Sequence, residues 1–137
     1  MDGDVARRRI AEARVGRLAS VRPDGIPHLV PICFALVDDR IVTAVDDKPK
    51  TTPQLQRLVN IRAHPEVTLL VDDYSEDWSA LWWARADGTA RVVDDGNERE
   101  ATLTQLRAKY DQYAVVLASG PAIVIDVTHW SGWAYSP

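Results

Sequence analysis

The sequence predicts an α+β fold that is mainly β, with an antiparallel sheet or barrel and short flanking helices. Strand-like segments follow one another in meander pairs separated by turn residues, and only three segments have helical spacing. The helices do not alternate one by one with the strands, which argues against a doubly wound parallel sheet. With 137 residues the chain has the length of one domain, and we expect residues 1–137 to fold as a single unit.

The first part of the chain is predicted to form a helix and a three-stranded meander. The helix covers residues 4–14, and the strands cover residues 15–22, 26–36 and 40–45. Pro23-Asp24-Gly25 is a turn signal, because glycine adopts a positive φ without strain. Pro27 and Pro31 have no N–H group to donate, so residues 26–36 should form a bulged strand or one at a sheet edge.

The second part is predicted to add two helices and four strands. One helix starts with Thr52 as its cap and Pro53 at its first position, a favoured arrangement, and ends before Pro65. The other helix covers residues 95–111 and has apolar residues aligned on one side. Residues 86–88 are predicted to form a hairpin turn. The strands are expected over residues 67–71, 78–85, 89–93 and 122–130.

Composition and charge argue against several classes of protein. Sixteen lysines and arginines against twenty acidic residues give a net charge of −4, which argues against a nucleic-acid binder. The longest apolar run, residues 29–37, contains a proline and is far shorter than the ~20 residues of a membrane span. No signal peptide is visible at the acidic N-terminus, so we expect a cytoplasmic protein. The one cysteine, Cys33, lies in an apolar segment and is predicted to be a core residue.

The sequence contains none of the common catalytic signatures. It has no glycine-rich dinucleotide motif, no phosphate-binding P-loop and no nucleophile elbow. His28, His64 and His129 are far apart in the sequence and form no metal-binding pair, so we predict no metal site. No catalytic residue can be assigned from the residue pattern.

A basic segment stands out in this acidic chain. Residues 48–65 hold Lys48, Lys50, Arg57 and Arg62 and no acidic residue. The predicted helix start adds unpaired backbone N–H groups and a partial positive charge, so Lys50 and Arg57 are placed to grip one phosphate. An equally supported interpretation is that these cations are solvated and pair with neighbouring carboxylates, in which case they contribute little.

The chain is also rich in tryptophan. The five are Trp78, Trp82, Trp83, Trp130 and Trp133. In a strand, Trp78 and Trp82 point to one face and Trp83 to the other. Such residues usually anchor a core or an interface, which favours a dimer interface here, although they also form the walls of sites for flat heteroaromatic ligands.

Taken in order, these segments resemble the pyridoxamine 5′-phosphate oxidase-like split-barrel proteins. The opening hairpin is similar to theirs in RLASV (17–21), DGIPH (24–28) and PICF (31–34). The helix and the following strand are similar in RLVNI (57–61) and HPEVTLLV (64–71). Four further motifs resemble the actinobacterial deazaflavin-dependent oxidoreductases, flavin/deazaflavin oxidoreductase group B: DKPK (47–50), DDY (72–74), WSALWW (78–83) and WSGW (130–133). The resemblance covers most of the chain.

The resemblance implies a six-stranded antiparallel split β-barrel that forms a homodimer, with a cofactor in a groove between the subunits. Members of the family bind FMN or the deazaflavin coenzyme F420, and some bind heme or other tetrapyrroles. The family's phosphate ligand is a basic residue eight positions before the proline at the helix end, which corresponds to Arg57. His64 replaces the usual Asn or Asp at that end, and residues 48–54 form a longer segment than in the wider family. Lys50 is therefore expected to contribute as well.

The function that the resemblance implies is hydride transfer from reduced F420 to a small conjugated organic substrate. In such an enzyme the cofactor supplies the reactive group, and the protein positions it and excludes water. The residues expected to bind the cofactor are Lys48, Lys50, Thr51, Arg57, Pro31, Ile32, Thr43, Ala44 and Val45. The residues expected on the substrate side are Trp78, Trp82 and Trp130. An FMN-dependent oxidase of the pyridoxamine phosphate type and a non-enzymatic carrier of a cofactor or heme are the alternatives.

Overall fold

Seven strands form one antiparallel sheet in the computed structural model, which describes residues 1–45, 52–114 and 120–136. In chain order they are β1 (Gly16–Val21), β2 (Pro27–Ile32), β3 (Ala35–Val37), β4 (Arg40–Ala44), β5 (Glu66–Asp73), β6 (Trp82–Val93) and β7 (Ala122–Ala134). The helices are α1 (Gly3–Glu12), α2 (Thr52–Ala63) and α3 (Asn97–Lys109), and short 3₁₀ helices cover Trp78–Ala80 and Asp111–Ala114. The predicted α+β class is therefore confirmed. Within the described ranges, no helix has the length and apolar character needed to cross a membrane.

The strand order in the sheet is β2-β1-β5-β6-β7-β4-β3, with antiparallel neighbours throughout. The two end strands, β2 and β3, follow each other in the chain and are joined only by Cys33 and Phe34. The sheet does not close between them, and this gap is the split of a split barrel. The structure has seven strands where the resemblance implies six. The strand predicted over residues 26–36 is two strands, β2 and β3, and the strands predicted over residues 78–85 and 89–93 are one, β6.

The prediction of one strand over residues 26–36 is wrong, and a distant tyrosine explains the break. The backbone N–H of Phe34 donates to the Tyr110 hydroxyl oxygen at 3.1 Å, and the Phe34 carbonyl oxygen lies 2.9 Å from the same hydroxyl. Phe34 thus hydrogen-bonds to a side chain and not to a neighbouring strand. Cys33 beside it is exposed, so the prediction of a core cysteine is also wrong.

The position of β2 confirms the expectation for its two prolines. This strand lies at the end of the sheet and pairs only with β1, where Pro27 is opposite Val21 and Pro31 is opposite Arg17. An end strand tolerates the missing N–H groups, because one of its sides has no ladder to complete. The turn before it is the predicted one, since Gly25 has a φ of 87°.

The predicted hairpin at residues 86–88 is wrong, because β6 runs straight through this segment. A register shift between Asp87 and Gly88 marks a β-bulge where β6 pairs with β7. Gly88 does not have the positive φ that the favoured two-residue hairpin turns require. A Cβ atom at Gly88 would lie 2.5 Å from the backbone oxygen of Asp126, so this glycine permits a close approach of two strands and not a turn.

The ends of β6 and β7 also differ from the prediction. Trp78 lies in a 3₁₀ helix, and the strand predicted over residues 78–85 begins only at Trp82. At its other end β7 continues to Ala134, past the predicted limit at Trp130. The extension has a partner, because Ala134 pairs with Trp82 across the two strands. Four of the five tryptophans therefore lie in the paired ends of β6 and β7.

The apolar core fills the inner face of the sheet. Leu18 of β1 and Leu69 of β5 are fully buried there and belong to one cluster with Leu58 and Ile61 of α2. The helix α3 covers the other face of β4 through a second cluster. That cluster consists of Ala35, Val42, Ala44, Leu103, Leu106, Tyr110 and Val124. The strand β4 is thus buried on both faces, whereas exposed aromatic side chains lie in or near the paired ends of β5, β6 and β7; they are Tyr74, Trp78, Trp133 and Tyr135.

Candidate functional site

A buried polar cluster, called the α2 cluster below, lies where α2 packs on β1. It consists of Gln56, Arg57 and Asn60 of α2 and Ser20 of β1. In this part of α2, Arg57 has 8% and Asn60 has 0% of its surface exposed. The Asn60 side-chain amide donates to the Ser20 hydroxyl oxygen at 3.1 Å, and the Gln56 amide donates to Asn60 Oδ1 at 2.7 Å. Buried polar groups destabilise a fold unless they are hydrogen-bonded. These contacts therefore hold one face of α2 in a defined orientation on the sheet.

His28 of β2 extends this polar cluster toward the end of the sheet. Ser20 and His28 are direct partners in the β1–β2 pair, so their side chains share the inner face. The Nδ1 atom of His28 is buried and has no hydrogen-bond partner in the described part of the chain. Buried polar atoms of this kind are rare, and an oxygen of a bound anion would satisfy this one. Arginine, hydroxyl, amide and imidazole groups are all residue types that can donate hydrogen bonds to a phosphate.

The structure divides the basic segment that the sequence predicted. Arg57 is buried in the α2 cluster, which argues against the solvated interpretation for this residue. Arg62 is exposed, and its guanidinium lies 3.5 Å from the Asp94 carboxylate, so Arg62 has the surface role. Lys48, Lys50 and Thr51 lie outside the described residues.

The residues expected beside the cofactor ring lie at the split of the sheet. Four of them are buried and Pro31 is exposed; the buried ones are Ile32, Thr43, Ala44 and Val45. The Thr43 hydroxyl donates to the Cys33 carbonyl oxygen at 2.7 Å, which ties β4 to the chain that crosses the split. Because β3 pairs only with residues 40–42, Thr43 and Ala44 have a strand neighbour on the β7 side alone. This end of β4 therefore presents backbone groups to the split.

The three tryptophans predicted for the substrate side are not brought together. Trp82 lies under the Arg9 guanidinium at 4.6 Å, and Trp130 lies under that of Arg7 at 5.8 Å. Both rings thus pack against α1, which contacts β6 and β7. Trp78 is 62% exposed in its 3₁₀ helix. Of the three, Trp82 lines a cavity.

That cavity has a volume of about 330 Å³ and opens where β5, β6 and β7 lie side by side. Its aromatic lining is Tyr74, Trp82, Trp83 and Trp133. Trp83 and Trp133 were missed as site residues because nothing in the sequence shows that they are direct partners across β6 and β7. The alternation of adjacent tryptophans did indicate that Trp83 faces away from Trp82, and this is confirmed by their separate arginine partners, Arg85 and Arg9.

The last turn of α3 carries a half-buried lysine, with its Nζ atom buried, that the sequence did not single out. The Lys109 Nζ atom lies 4.1 Å from the ring centre of Phe34 and 5.3 Å from that of Tyr110. It has no hydrogen-bond partner among the described residues. Burial of the ammonium group and the nearby charge of Arg14 lower the pKa of Lys109 to about 8. A lysine at this end of a helix is usually solvated, so the local pattern gave no signal.

We expect Lys109→Met to stabilise the folded chain at neutral pH, because it removes a positive charge that burial disfavours. The gain should be about 1 kcal/mol, since solvent screens much of that unfavourable charge. The pKa of Lys109 is about 8 in the folded chain and 10.5 in a free side chain. The unfolded chain therefore binds more protons between these values, and wild-type stability rises with pH across that interval. The advantage of the variant should be full below pH 8 and lost near pH 10.5.

Urea unfolding of wild type and Lys109→Met from neutral pH to pH 10.5 measures how the substitution changes the free energy of unfolding. Arg107→Met is the control, because Arg107 is exposed near the same end of α3 and should change the stability by less than about 0.5 kcal/mol. A stability difference between Lys109→Met and wild type that stays constant from neutral to alkaline pH would contradict the assignment of the lowered pKa.

Comparison with known proteins identifies the family. A family model described as pyridoxamine 5′-phosphate oxidase matches residues 3–134, and no curated protein sequence matches the chain. Among solved structures, a conserved hypothetical protein from Mycobacterium tuberculosis is 22% identical with a TM-score of 0.75, covering 98% of this chain and 85% of that one. An FAD-binding protein from Mesorhizobium loti is 22% identical with a TM-score of 0.73, covering 96% and 94%. HutZ, a heme storage protein from Vibrio cholerae, is 13% identical with a TM-score of 0.70, covering 98% and 95%.

These structural likenesses establish the fold and nothing more, because the sequence identities are too low to carry an activity from one protein to another. The match to the family model carries more, since residues 3–134 include all seven strands, the α2 cluster and the aromatic cavity. The chain therefore belongs to the pyridoxamine 5′-phosphate oxidase family.

Proposed function

We propose that the chain is an oxidoreductase that binds a phosphorylated flavin or deazaflavin, preferably coenzyme F420, and reduces a small conjugated organic substrate. The observation that carries the proposal is the burial of Arg57 on the same helix as Asn60, whose side-chain amide donates to the Ser20 hydroxyl oxygen. Family membership supports a flavin-type ligand, and an FAD-binding protein is among the similar structures. The preference for F420 is supported by the resemblance of four short motifs to the deazaflavin-dependent branch. A homodimer belongs to the proposal and is supported by exposed Ile26 and Leu29 around β2.

The phosphate of the cofactor is proposed to bind at the α2 cluster. The Arg57 guanidinium offers a fork of N–H donors, and charge-assisted hydrogen bonds to phosphate are stronger than neutral ones. The His28 ring nitrogen would find its missing partner in a phosphate oxygen. Lys48, Lys50 and Thr51 precede α2 in the sequence and are proposed to add positive charge and a hydroxyl donor.

The ring system is proposed to lie at the split of the sheet, next to the free side of β4. When bound and reduced, the cofactor supplies a hydride. The chain's own residues position it: the Thr43–Cys33 hydrogen bond fixes the edge of the split, and Thr43 and Ala44 present backbone groups there. Ile32 and Val45 belong to the inner apolar cluster and exclude water from that side. Positioning of this kind needs no acid–base residue, which agrees with the lack of catalytic motifs.

We expect Arg57→Gln to weaken binding of F420 and FMN about 10- to 100-fold, because one charge-assisted hydrogen bond contributes about 1.5–3 kcal/mol. Fluorescence titration of the purified chain measures both affinities, and light scattering of the same samples should show a dimer. Arg62→Gln is the matched control: it makes the same change on the same helix, but at an exposed residue paired with Asp94. It should alter neither affinity by more than about twofold.

Riboflavin separates a phosphate contact from a general loss of structure, because it has the same ring system as FMN but no phosphate. Its affinity should be equal in wild type and Arg57→Gln. Unchanged FMN and F420 binding in Arg57→Gln would return this residue to a structural role. A parallel loss of riboflavin binding would show that the variant damages the fold and that Arg57 does not act on the phosphate.

The choice of cofactor is tested with the wild-type chain alone. We expect tighter binding of F420 than of FMN or FAD. Micromolar affinity for FMN with no binding of F420 would reject the deazaflavin preference and favour the FMN-dependent oxidase. A chain that purifies with a yellow colour would point the same way.

A non-enzymatic carrier is the second candidate, and His28 is the observation that favours it. This imidazole is partly buried on the inner face of the sheet, and histidine is a common axial ligand of heme iron. One of the similar structures is a heme storage protein. Stopped-flow mixing of the chain and reduced F420 with quinones and enones distinguishes the two functions. Turnover supports the oxidoreductase, whereas heme binding without turnover of any acceptor supports the carrier.

A further inference from the structure

We propose that Cys33 and Lys109 form an acyl-transfer pair, in which the exposed thiol takes an acyl group from a small acyl thioester and passes it to the lysine amine. The proposal makes Lys109 a site of modification, and neither residue belongs to the α2 cluster or to the aromatic cavity. Neither step uses the cofactor, so a failure of the proposed function leaves this inference in place.

The two nucleophiles are brought together by Phe34 and the end of α3. Cys33 directly precedes Phe34, and the Lys109 Nζ atom lies 4.1 Å from the centre of the Phe34 ring. The Tyr110 hydroxyl accepts the backbone N–H of Phe34, which fixes the end of α3 against this segment. Burial is the main influence on the pKa of Lys109, and the charge of Cys33 is a smaller one that raises it. The thiol therefore lies within electrostatic range of the amine.

The amine of Lys109 has the properties of a nucleophile. Its Nζ atom is buried, and no described residue accepts a hydrogen bond from it. Burial of the ammonium group and the nearby charge of Arg14 lower its pKa to about 8. At pH 8 about half of the chains hold the neutral amine, against about one in 300 for a free side chain with a pKa of 10.5. Desolvation beside another cation is one of the ways in which proteins activate a lysine.

The positions of the two groups favour a relay over direct attack on the lysine. The Lys109 side chain is half-buried and its Nζ atom is enclosed, which hinders the approach of a thioester from solution. Cys33 is exposed, and a thiol is intrinsically a very good nucleophile at neutral pH. Once the acyl group is on the sulfur, its transfer to a nearby amine is intramolecular, which raises the effective concentration of the reactants.

Both steps balance without an oxidant or a reductant. In the first, the Cys33 sulfur bonds to the thioester carbonyl carbon, the carbon–sulfur bond of the donor breaks, and the donor leaves as a thiol with the Cys33 proton. In the second, the Lys109 nitrogen bonds to the same carbon, the bond to the Cys33 sulfur breaks, and the proton released by the nitrogen returns to that sulfur. The products are an amide at Lys109 and a regenerated thiol. Because the amide is uncharged, the modification removes the ammonium group that burial disfavours.

Treatment of the purified chain with S-acetyl-N-acetylcysteamine, a small thioester, tests the relay, and peptide mass spectrometry measures acetylation of each lysine. At pH 8, Lys109 should be acetylated at least about tenfold faster in wild type than in Cys33→Ser, because a serine hydroxyl is a far weaker nucleophile. The other two lysines, Lys48 and Lys50, should be acetylated at the same rate in both proteins. Cys33 is exposed, so the substitution leaves the fold intact.

Arg107→Lys is the matched control for the position of the amine. Arg107 is exposed near the same end of α3 and lies two residues before Lys109, which places it on another side of the helix. The introduced lysine should be acetylated at least about tenfold more slowly than Lys109, at a rate that does not depend on Cys33. Equal rates for the introduced lysine and Lys109 would overturn the proposal.

Lys109→Met should trap the intermediate of the relay. In this variant the acetyl group should remain on Cys33 as a thioester, which hydroxylamine cleaves. In wild type it should move to Lys109 as an amide, which hydroxylamine leaves intact. Equal acetylation of Lys109 in wild type and Cys33→Ser would overturn the proposal, because it would show direct attack on the lysine. A wild-type chain whose acetyl group stays on Cys33 at pH 8 would also overturn it.

Discussion

Gly88→Ala is expected to lower the free energy of unfolding by about 3 kcal/mol or more, although it adds only one methyl group. The added Cβ atom would lie 2.5 Å from the Asp126 backbone oxygen and 2.9 Å from the Cγ2 atom of Ile125. Real Cβ atoms do not come this close to a backbone oxygen, and a backbone in a paired strand cannot rotate away as a side chain can. The two longest strands, β6 and β7, would have to separate at the bulge.

Urea unfolding of Gly88→Ala against Gly3→Ala measures this effect with a matched control. Gly3 is the first residue of α1, and a Cβ atom there would be 3.4 Å from the nearest atom, the Trp130 backbone oxygen. Since alanine favours a helix over glycine, Gly3→Ala should change the stability by less than about 1 kcal/mol, in the stabilising direction. Similar effects of the two substitutions would show that β6 and β7 adjust without cost at the bulge.

Tyr110→Phe is expected to destabilise the chain by about 2–3 kcal/mol. The hydroxyl accepts the backbone N–H of Phe34 at 3.1 Å and lies 2.9 Å and 3.0 Å from the carbonyl oxygens of Phe34 and Arg14. Its removal leaves the N–H of the buried Phe34 without a partner, and an unsatisfied buried donor is more harmful than a lost surface hydrogen bond. Thermal or urea unfolding measures the loss.

Tyr135→Phe is the control for the tyrosine substitution, because Tyr135 is exposed and should tolerate the change within about 0.5 kcal/mol. A second readout follows from the proposed cofactor site. Phe34 adjoins Cys33, whose carbonyl oxygen accepts the Thr43 hydroxyl at the split. Tyr110→Phe should therefore also weaken cofactor binding at temperatures where the variant is still folded. Equal stability of Tyr110→Phe and Tyr135→Phe would show that the Phe34 N–H finds another partner.

The sequence by itself determined the features that depend on neighbouring residues. Pro27 and Pro31 indicated an end strand, because the missing N–H groups are a property of the residue and not of its surroundings. Gly25 indicated the first hairpin turn through its positive φ. The adjacent Trp82 and Trp83 indicated opposite faces, since a strand alternates along the chain. The same local patterns, together with the order of the motifs, were enough to predict the class of the fold.

Only the tertiary structure decided the features that depend on residues far apart in the chain. Residues 86–88 have the composition of a turn, but the close approach of the Asp126 backbone to Gly88 goes with a β-bulge at this point. The strand before Phe34 ends because Tyr110, 76 residues away, takes its backbone hydrogen bonds. The burial of Arg57 and the meeting of Trp83 with Trp133 likewise require α2 and β7 to be in place. Local patterns record the preferences of each segment, whereas a site is made by contacts between segments, and those form only when the chain folds.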